Sequence, residues 1–151
     1  IRPSALYGER CVSQRVGQAF IENALRGNNL TVNGDGTDAL DFTYIQDLIQ
    51  GVVLTITKPE ARNEIFNITY GSARELNQMV DLIQQYFPNI KLENKPRDGL
   101  MPERGTLCID KARKMLGYEP QYPLDIGFVN YIKWYQKFAS ENAEFFIDSR
   151  N

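Results

Sequence analysis

The chain contains no histidine, so it has no imidazole base, no Ser/His/Asp or Cys/His nucleophilic constellation and no His-ligated metal. No catalytic group and no metal site is expected within it. Cys11 and Cys108 stand far apart without CxxC spacing. They read as reduced, partly buried small hydrophobes of a cytoplasmic protein, with a disulfide between them the lesser alternative. Lys and Arg number 17 against 19 Asp and Glu, a net charge of −2, so nothing drives the chain toward nucleic acid or an anionic membrane. Any phosphate must be gripped by a few placed arginines, and Arg15, opening a helix, is one within reach of a phosphate.

The elements that must position such residues follow from periodicity. Residues 1–7 are short and mostly apolar and end at Gly8, which predicts a buried strand, with Pro3 awkward inside a sheet. Ser13 is a candidate cap for a helix over 14–26, with Val16, Ala19, Phe20, Ala24 and Leu25 on one side and Gly27 as its stop. A strand over 30–32 runs into a Gly34-Asp35-Gly36 turn. Ile45, Leu48, Ile49, Val52, Val53 and Ile56 give the clearest helical period in the chain. A strand over 65–69 precedes a helix opened by a Ser72/Glu75 capping box, carrying Leu76, Met79, Val80, Ile83 and Phe87 and stopped by Pro88.

Residues 89–92 suggest another short strand, and 93–105, with Pro96, Gly99 and Pro102, a long loop of the kind that often serves function. Asp110 caps a helix over 111–116 ended by Gly117, and Leu124, Phe128, Tyr131, Ile132, Tyr135 and Phe138 mark a last amphipathic helix. Trp134 and its neighbouring tyrosines read as core or interface anchors, and Tyr44 and Asp47 as braces for the start of the helix from Ile45. Phe145, Phe146 and Ile147 could dock on a neighbouring surface. No apolar run approaches the ~20 residues that span a bilayer, and the first residues do not read as a signal segment. The interleaved helices and short strands predict an α+β lobe packed on something larger.

Three segments, in order, resemble the C-terminal half of the extended short-chain dehydrogenase/reductases, the NAD-dependent nucleotide-sugar epimerases and dehydratases. Arg2-Pro3-Ser4-Ala5-Leu6-Tyr7-Gly8 is similar to the family's strand and loop ending in Tyr-Gly. Gly34-Asp35-Gly36, then Asp41-Phe42-Thr43-Tyr44-Ile45 and Asp47, is similar to its GDG and DF.YV.D. Arg104-Gly105 leading to Asp110-Lys111-Ala112 and Leu116-Gly117-Tyr118-Glu119-Pro120 is similar to its closing motif. The family's glycine fingerprint and its Tyr-x-x-x-Lys pair lie upstream of these segments, and no tyrosine here has a lysine four residues later.

The resemblance implies an α+β substrate-binding lobe of an α/β Rossmann-type parent, the dinucleotide-binding half being absent. Residues 1–8 would close the parent's Rossmann domain, 9–138 form the substrate lobe and 139–151 a charged tail. NAD, held mainly by the missing half, would take hydride from a sugar carbon and give a keto intermediate. The lobe would grip a nucleotide-diphosphate sugar through Arg104 and Arg15, with Thr31 and Asn33 lining the base, while Pro3 and Ser4 lie near the nicotinamide carboxamide. Ala5, Leu40 and Thr106 depart from a substrate-contacting Asn, a phosphate-binding Arg and an Asp common in the family. Either Arg15 and Arg104 carry the diphosphate, or the substrate differs from the commonest uridine diphosphate sugars.

The expected function is thus the substrate-binding part of an epimerase/dehydratase, 4-epimerase first, inactive by itself. The start at Ile1 without an initiator Met points to a fragment or processed product. Its cut sheet edge predicts self-association or a disordered N-terminus, and its parent is expected to be a homodimer. The rival is a non-catalytic sugar-nucleotide-binding or protein-interaction module.

Overall fold

The computed structural model describes residues 1–146. Ten short elements carry the fold. They are β1 (Leu6–Tyr7), α1 (Val16–Leu25), β2 (Leu30–Asn33), β3 (Ala39–Leu40), β4 (Thr43–Tyr44), α2 (Ile45–Thr57), β5 (Arg74–Glu75), α3 (Leu76–Tyr86), β6 (Leu92–Lys95) and α4 (Asp110–Leu116). A last helix, α5 (Leu124–Glu141), follows. The strands make three two-stranded pairs, with β1–β4 and β2–β6 parallel and β3–β5 antiparallel. Helices α1, α3 and α5 pack on one another around Phe20, Ile21, Met79, Ile83, Phe128 and Ile132, all buried. A second cluster, Phe66, Ile68, Ile109, Ala112, Leu116 and Tyr118, joins α4 to the 66–68 segment, with Leu48 and Leu54 of α2 at its margin.

Residues 1–7 do not form one buried strand. Ile1, Arg2 and Pro3 are exposed, Arg2 makes only an isolated parallel bridge to Asn67, and Ala5 sits at φ +36°. Pro3 has no N–H to give a ladder, and a left-handed residue two positions later breaks the pleat. Residues 65–69, expected as a strand, likewise hold only that bridge, although Phe66, Ile68 and Thr69 are buried.

Helix starts differ in instructive ways. α1 opens at Arg15 with no side-chain cap from Ser13; instead Gln18 Oε1 accepts the N–H of Gln14 at 3.0 Å. α3 does have a capping box, but between Glu75 and Gln78 and not between Ser72 and Glu75. Arg74 and Glu75 pair with β3 before the helix starts, which moves the cap three residues on. Ile109 caps α4, and Asp110 is its first residue. Gly117, at φ +63°, ends that helix with its N–H on the Arg113 carbonyl. The 89–92 strand is β6, shifted to 92–95 by its register with β2, so the loop begins near Pro96.

The strongest period in the sequence yields the least covered helix. α2 buries Asp47 and Gly51, while Ile49, Val53 and Ile56 are 46%, 50% and 77% exposed. The pattern is that of a covered face, but these residues do not cover it. The 151-residue chain alone is therefore expected to self-associate, and a Val53→Lys/Ile56→Glu pair to make it monomeric in light scattering. A clean wild-type monomer at high concentration would contradict this.

The C-terminal aromatics partly match expectation. Trp134 stacks on Phe138 at 5.3 Å between ring centres, and Phe146 packs edge-on to Tyr135 and Phe138. Phe145 stays largely exposed, and Ile147 lies outside the described residues. α5 runs to Glu141, three residues into the segment read as tail. Both cysteines are free, Cys11 partly buried and Cys108 exposed, the latter against expectation.

Candidate functional site

β2, β3, the start of α1, the first turn of α3 and the 101–104 loop enclose a cavity of about 280 Å³. Its wall is mainly apolar, with Val16, Phe20, Val32, Leu40, Phe42 and Met79 among the lining residues. Arg15, Thr31, Asn33 and Arg104, named from sequence, all line this one cavity. Arg15 does so at the N-terminal end of α1, where the helix dipole also favours an anion. Thr31 and Asn33 lie on β2, held in register by β6. Pro3 and Ser4 are not among the lining residues, although the adjoining Ala5, Leu6 and Tyr7 are.

Of the three departures from the family pattern, Ala5 and Leu40 line the cavity. Thr106 does not; its Oγ1 accepts the N–H of Ala73 at 2.8 Å. A guanidinium and an apolar wall make a place where a forked anion contact can orient a flat or apolar group beside it.

Two buried carboxylates hold the surroundings in place. Asp41 accepts hydrogen bonds from Thr69 Oγ1 at 2.9 Å and from the N–H groups of Gly71 and Leu107, both at 3.0 Å. Asp47 accepts the N–H groups of Gln121 at 2.7 Å and Tyr122 at 3.1 Å. Asp47 therefore pins the approach to α5 and does more than brace its own helix start. Burial pushes its carboxyl above the usual carboxylate range, against the pull of those two N–H groups.

The Tyr44 hydroxyl donates to Glu9, and burial first, then that carboxylate, raises its pKa. Burial likewise raises Tyr7, whose ring lies among Phe42, Tyr44, Phe128 and Tyr131. These hydroxyls stay neutral at pH 7 and are poor proton acceptors.

Sequence reasoning missed Asp38, Met101 and Pro102 in the cavity wall, and Arg97, which pairs with Asp38. The proline- and glycine-spaced loop was the available signal for Met101 and Pro102. Asp38 and Arg97 are 59 residues apart, and nothing local links them. Among the described residues no cluster of ligating side chains suits a metal, and no helix is long and apolar enough to cross a membrane.

Three two-stranded pairs, two of them parallel, with helices and a cavity built beside them, make a partial α/β domain. Residues 1–69 match the model of the NAD dependent epimerase/dehydratase family. UDP-glucuronic acid decarboxylase 1 of Xenopus tropicalis is 32% identical over 134 residues, 85% of this chain and 30% of the relative. A solved epimerase of Methanothermobacter thermautotrophicus shares 26% identity with a TM-score of 0.83, over 98% of this chain and 44% of its own. A UDP-glucose 4-epimerase of Thermotoga maritima, solved with UDP-glucose, shares 28% identity with a TM-score of 0.82, over 91% of this chain and 45% of its own. Over most of its length the chain resembles the extended short-chain dehydrogenase/reductases of the NAD-dependent epimerase/dehydratase family. It spans less than half the length of the curated relatives it matches.

Proposed function

We propose that this chain is the C-terminal substrate-binding part of an NAD-dependent nucleotide-sugar epimerase or dehydratase, with 4-epimerisation the first choice. The observation that carries the reading is the convergence of Arg15, Thr31, Asn33 and Arg104 on one cavity. At about 280 Å³ the cavity is at the small end of ligand sites. It suits a base and ribose, leaving the diphosphate to the arginines and the sugar to point out toward the reacting centre. Binding energy gathered here, remote from the bond being changed, would align that centre. Leu40 puts no charge on the wall, so Arg15 and Arg104 carry the diphosphate.

NAD fits these residues only at an edge. Its pyrophosphate needs a glycine-rich turn at a helix N-terminus, whereas Thr43-Tyr44 leads directly into α2 and Arg15 into α1. When bound, the dinucleotide accepts and returns a hydride. In this reading the rest of a longer chain holds it, Pro3 and Ser4 lie beside its carboxamide, residues 1–8 close its domain, and the lobe of residues 9–138 turns nothing over alone.

Titration calorimetry with UDP-glucose tests the grip. Arg104→Met and Arg15→Met, both at exposed arginines that line the cavity, are each expected to weaken binding by about tenfold, the loss of a charge-assisted pair. Equal affinities in wild type and both variants would remove the arginines from the site. The intact mass of the natural gene product decides the wider reading. A product about twice 17.3 kDa supports an enzyme. A product near 17.3 kDa that binds UDP-glucose without any dependence on NAD supports a non-catalytic binding module.

A further inference from the structure

The 97–107 segment is tied at its two ends to carboxylates that bracket one short strand. At one end the Nε–H of Arg97 is shared between Oδ1 and Oδ2 of Asp38, at 3.2 and 3.1 Å. At the other end the N–H of Leu107 donates to Oδ2 of Asp41 at 3.0 Å. Between Asp38 and Asp41 runs β3, whose Ala39 and Leu40 are part of the cavity wall. Between the two ties, Met101, Pro102 and Arg104 reach the same cavity. The segment is thus a strap laid across the site from one end of β3 to the other.

The ties differ in strength. Asp41 is fully buried, so water and salt barely screen its bond, and Thr106 adds a second hold through its contact with Ala73. The Asp38 and Arg97 side chains are 30% and 33% exposed, so their pair is weak and releasable. Its foundation is nevertheless firm. Asn94 Nδ2 donates to the Gly34 carbonyl at 2.8 Å, and the Arg97 stem lies against Gly34. Asp38 also lines the cavity, where a bare carboxylate would repel an anion.

We propose that Arg97 and Asp38 are positioning residues: their ion pair holds the 98–105 strap against the cavity, setting the place of Arg104, and masks the Asp38 charge from an anionic ligand. The identity of that anion rests on the nucleotide-sugar reading above; the strap does not.

The test compares wild type, Arg97→Met, Asp38→Asn and the double variant. Because an exposed pair adds little to global stability, all four should melt together. Hydrogen exchange of the 98–105 amides is expected to quicken about three- to tenfold in Arg97→Met, while 110–116 stays unchanged. UDP-glucose affinity is expected to fall about fivefold in Arg97→Met and to recover by at least half in the double variant, which leaves no bare carboxylate. Unchanged exchange at 98–105 overturns the strap, whatever the affinity. A double variant that binds no better than Arg97→Met overturns the masking. A wild type that shows no saturable UDP-glucose binding sinks the nucleotide-sugar reading and the masking with it, while exchange still decides the strap.

Discussion

Asp41→Ala is expected to cost about 4 kcal/mol of folding stability, a large share of the 5–15 kcal/mol that holds a domain together. The carboxylate is fully buried and accepts from Thr69 Oγ1, Gly71 N–H and Leu107 N–H. Hydrogen bonds to a charged group contribute about 1.5–3 kcal/mol each, and donors left dry without an acceptor add a desolvation penalty. Three segments meet at this one side chain, so its loss frees the 69–71 turn and the end of the 97–107 loop together. Asp41→Asn should cost roughly half as much, because its amide oxygen can still take the two donors now on Oδ2 while its NH₂ faces Gly71. Urea denaturation of the three proteins, with the slope held constant, measures this. A loss under about 1 kcal/mol for alanine would show that water replaces the carboxylate.

How far the sequence announces this structure depends on the distance over which each feature is encoded. α2 and α5 were legible because apolar spacing repeats inside the helix itself. What covers a face is a different matter. Residues 45–56 show that α2 has an apolar side, but among the described residues Ile49, Val53 and Ile56 of that side remain exposed.

Two overlapping capping patterns, Ser72/Glu75 and Glu75/Gln78, fit the same stretch. Only the pairing of β5 with β3 chooses between them. Asp41, Asp47 and the Asp38–Arg97 pair bind partners 28 to 75 residues away, so no local pattern marks them. Thr31, Asn33 and Arg104 were named through the family resemblance and Arg15 from its place at a helix start, and their meeting in space is a finding of the structure.

Gly127→Ala should destabilise the fold by about 2–3 kcal/mol, although alanine is the better helix former by about 1 kcal/mol. Gly127 lies inside α5 with ordinary helical backbone, so nothing in its conformation demands glycine. Space does. A Cβ there would run into the Tyr7 hydroxyl and come within 3.0 Å of both Cβ and Cγ of Tyr44. Tyr44 Cβ is fixed by β4 and by its place at the start of α2, and the Tyr7 ring is wedged among Phe42, Tyr44, Phe128 and Tyr131, so neither has room to swing aside.

Gly17 of α1 is the internal control. A Cβ there would lie 3.1 Å from the edge of Phe128 and 3.6 Å from the flexible end of Met79, with no backbone in its way, so Gly17→Ala should change stability by less than about 1 kcal/mol. Thermal unfolding separates the two variants by roughly 5 °C or more at this chain length. Equal melting temperatures would mean that α5 slides to accept the methyl. Because Tyr7 both touches Gly127 and lines the cavity, overpacking in the variant that stays folded must be relieved partly into the cavity wall. Gly127→Ala is therefore expected also to weaken UDP-glucose binding with Arg15 and Arg104 intact, which ties the helix packing to the site it supports.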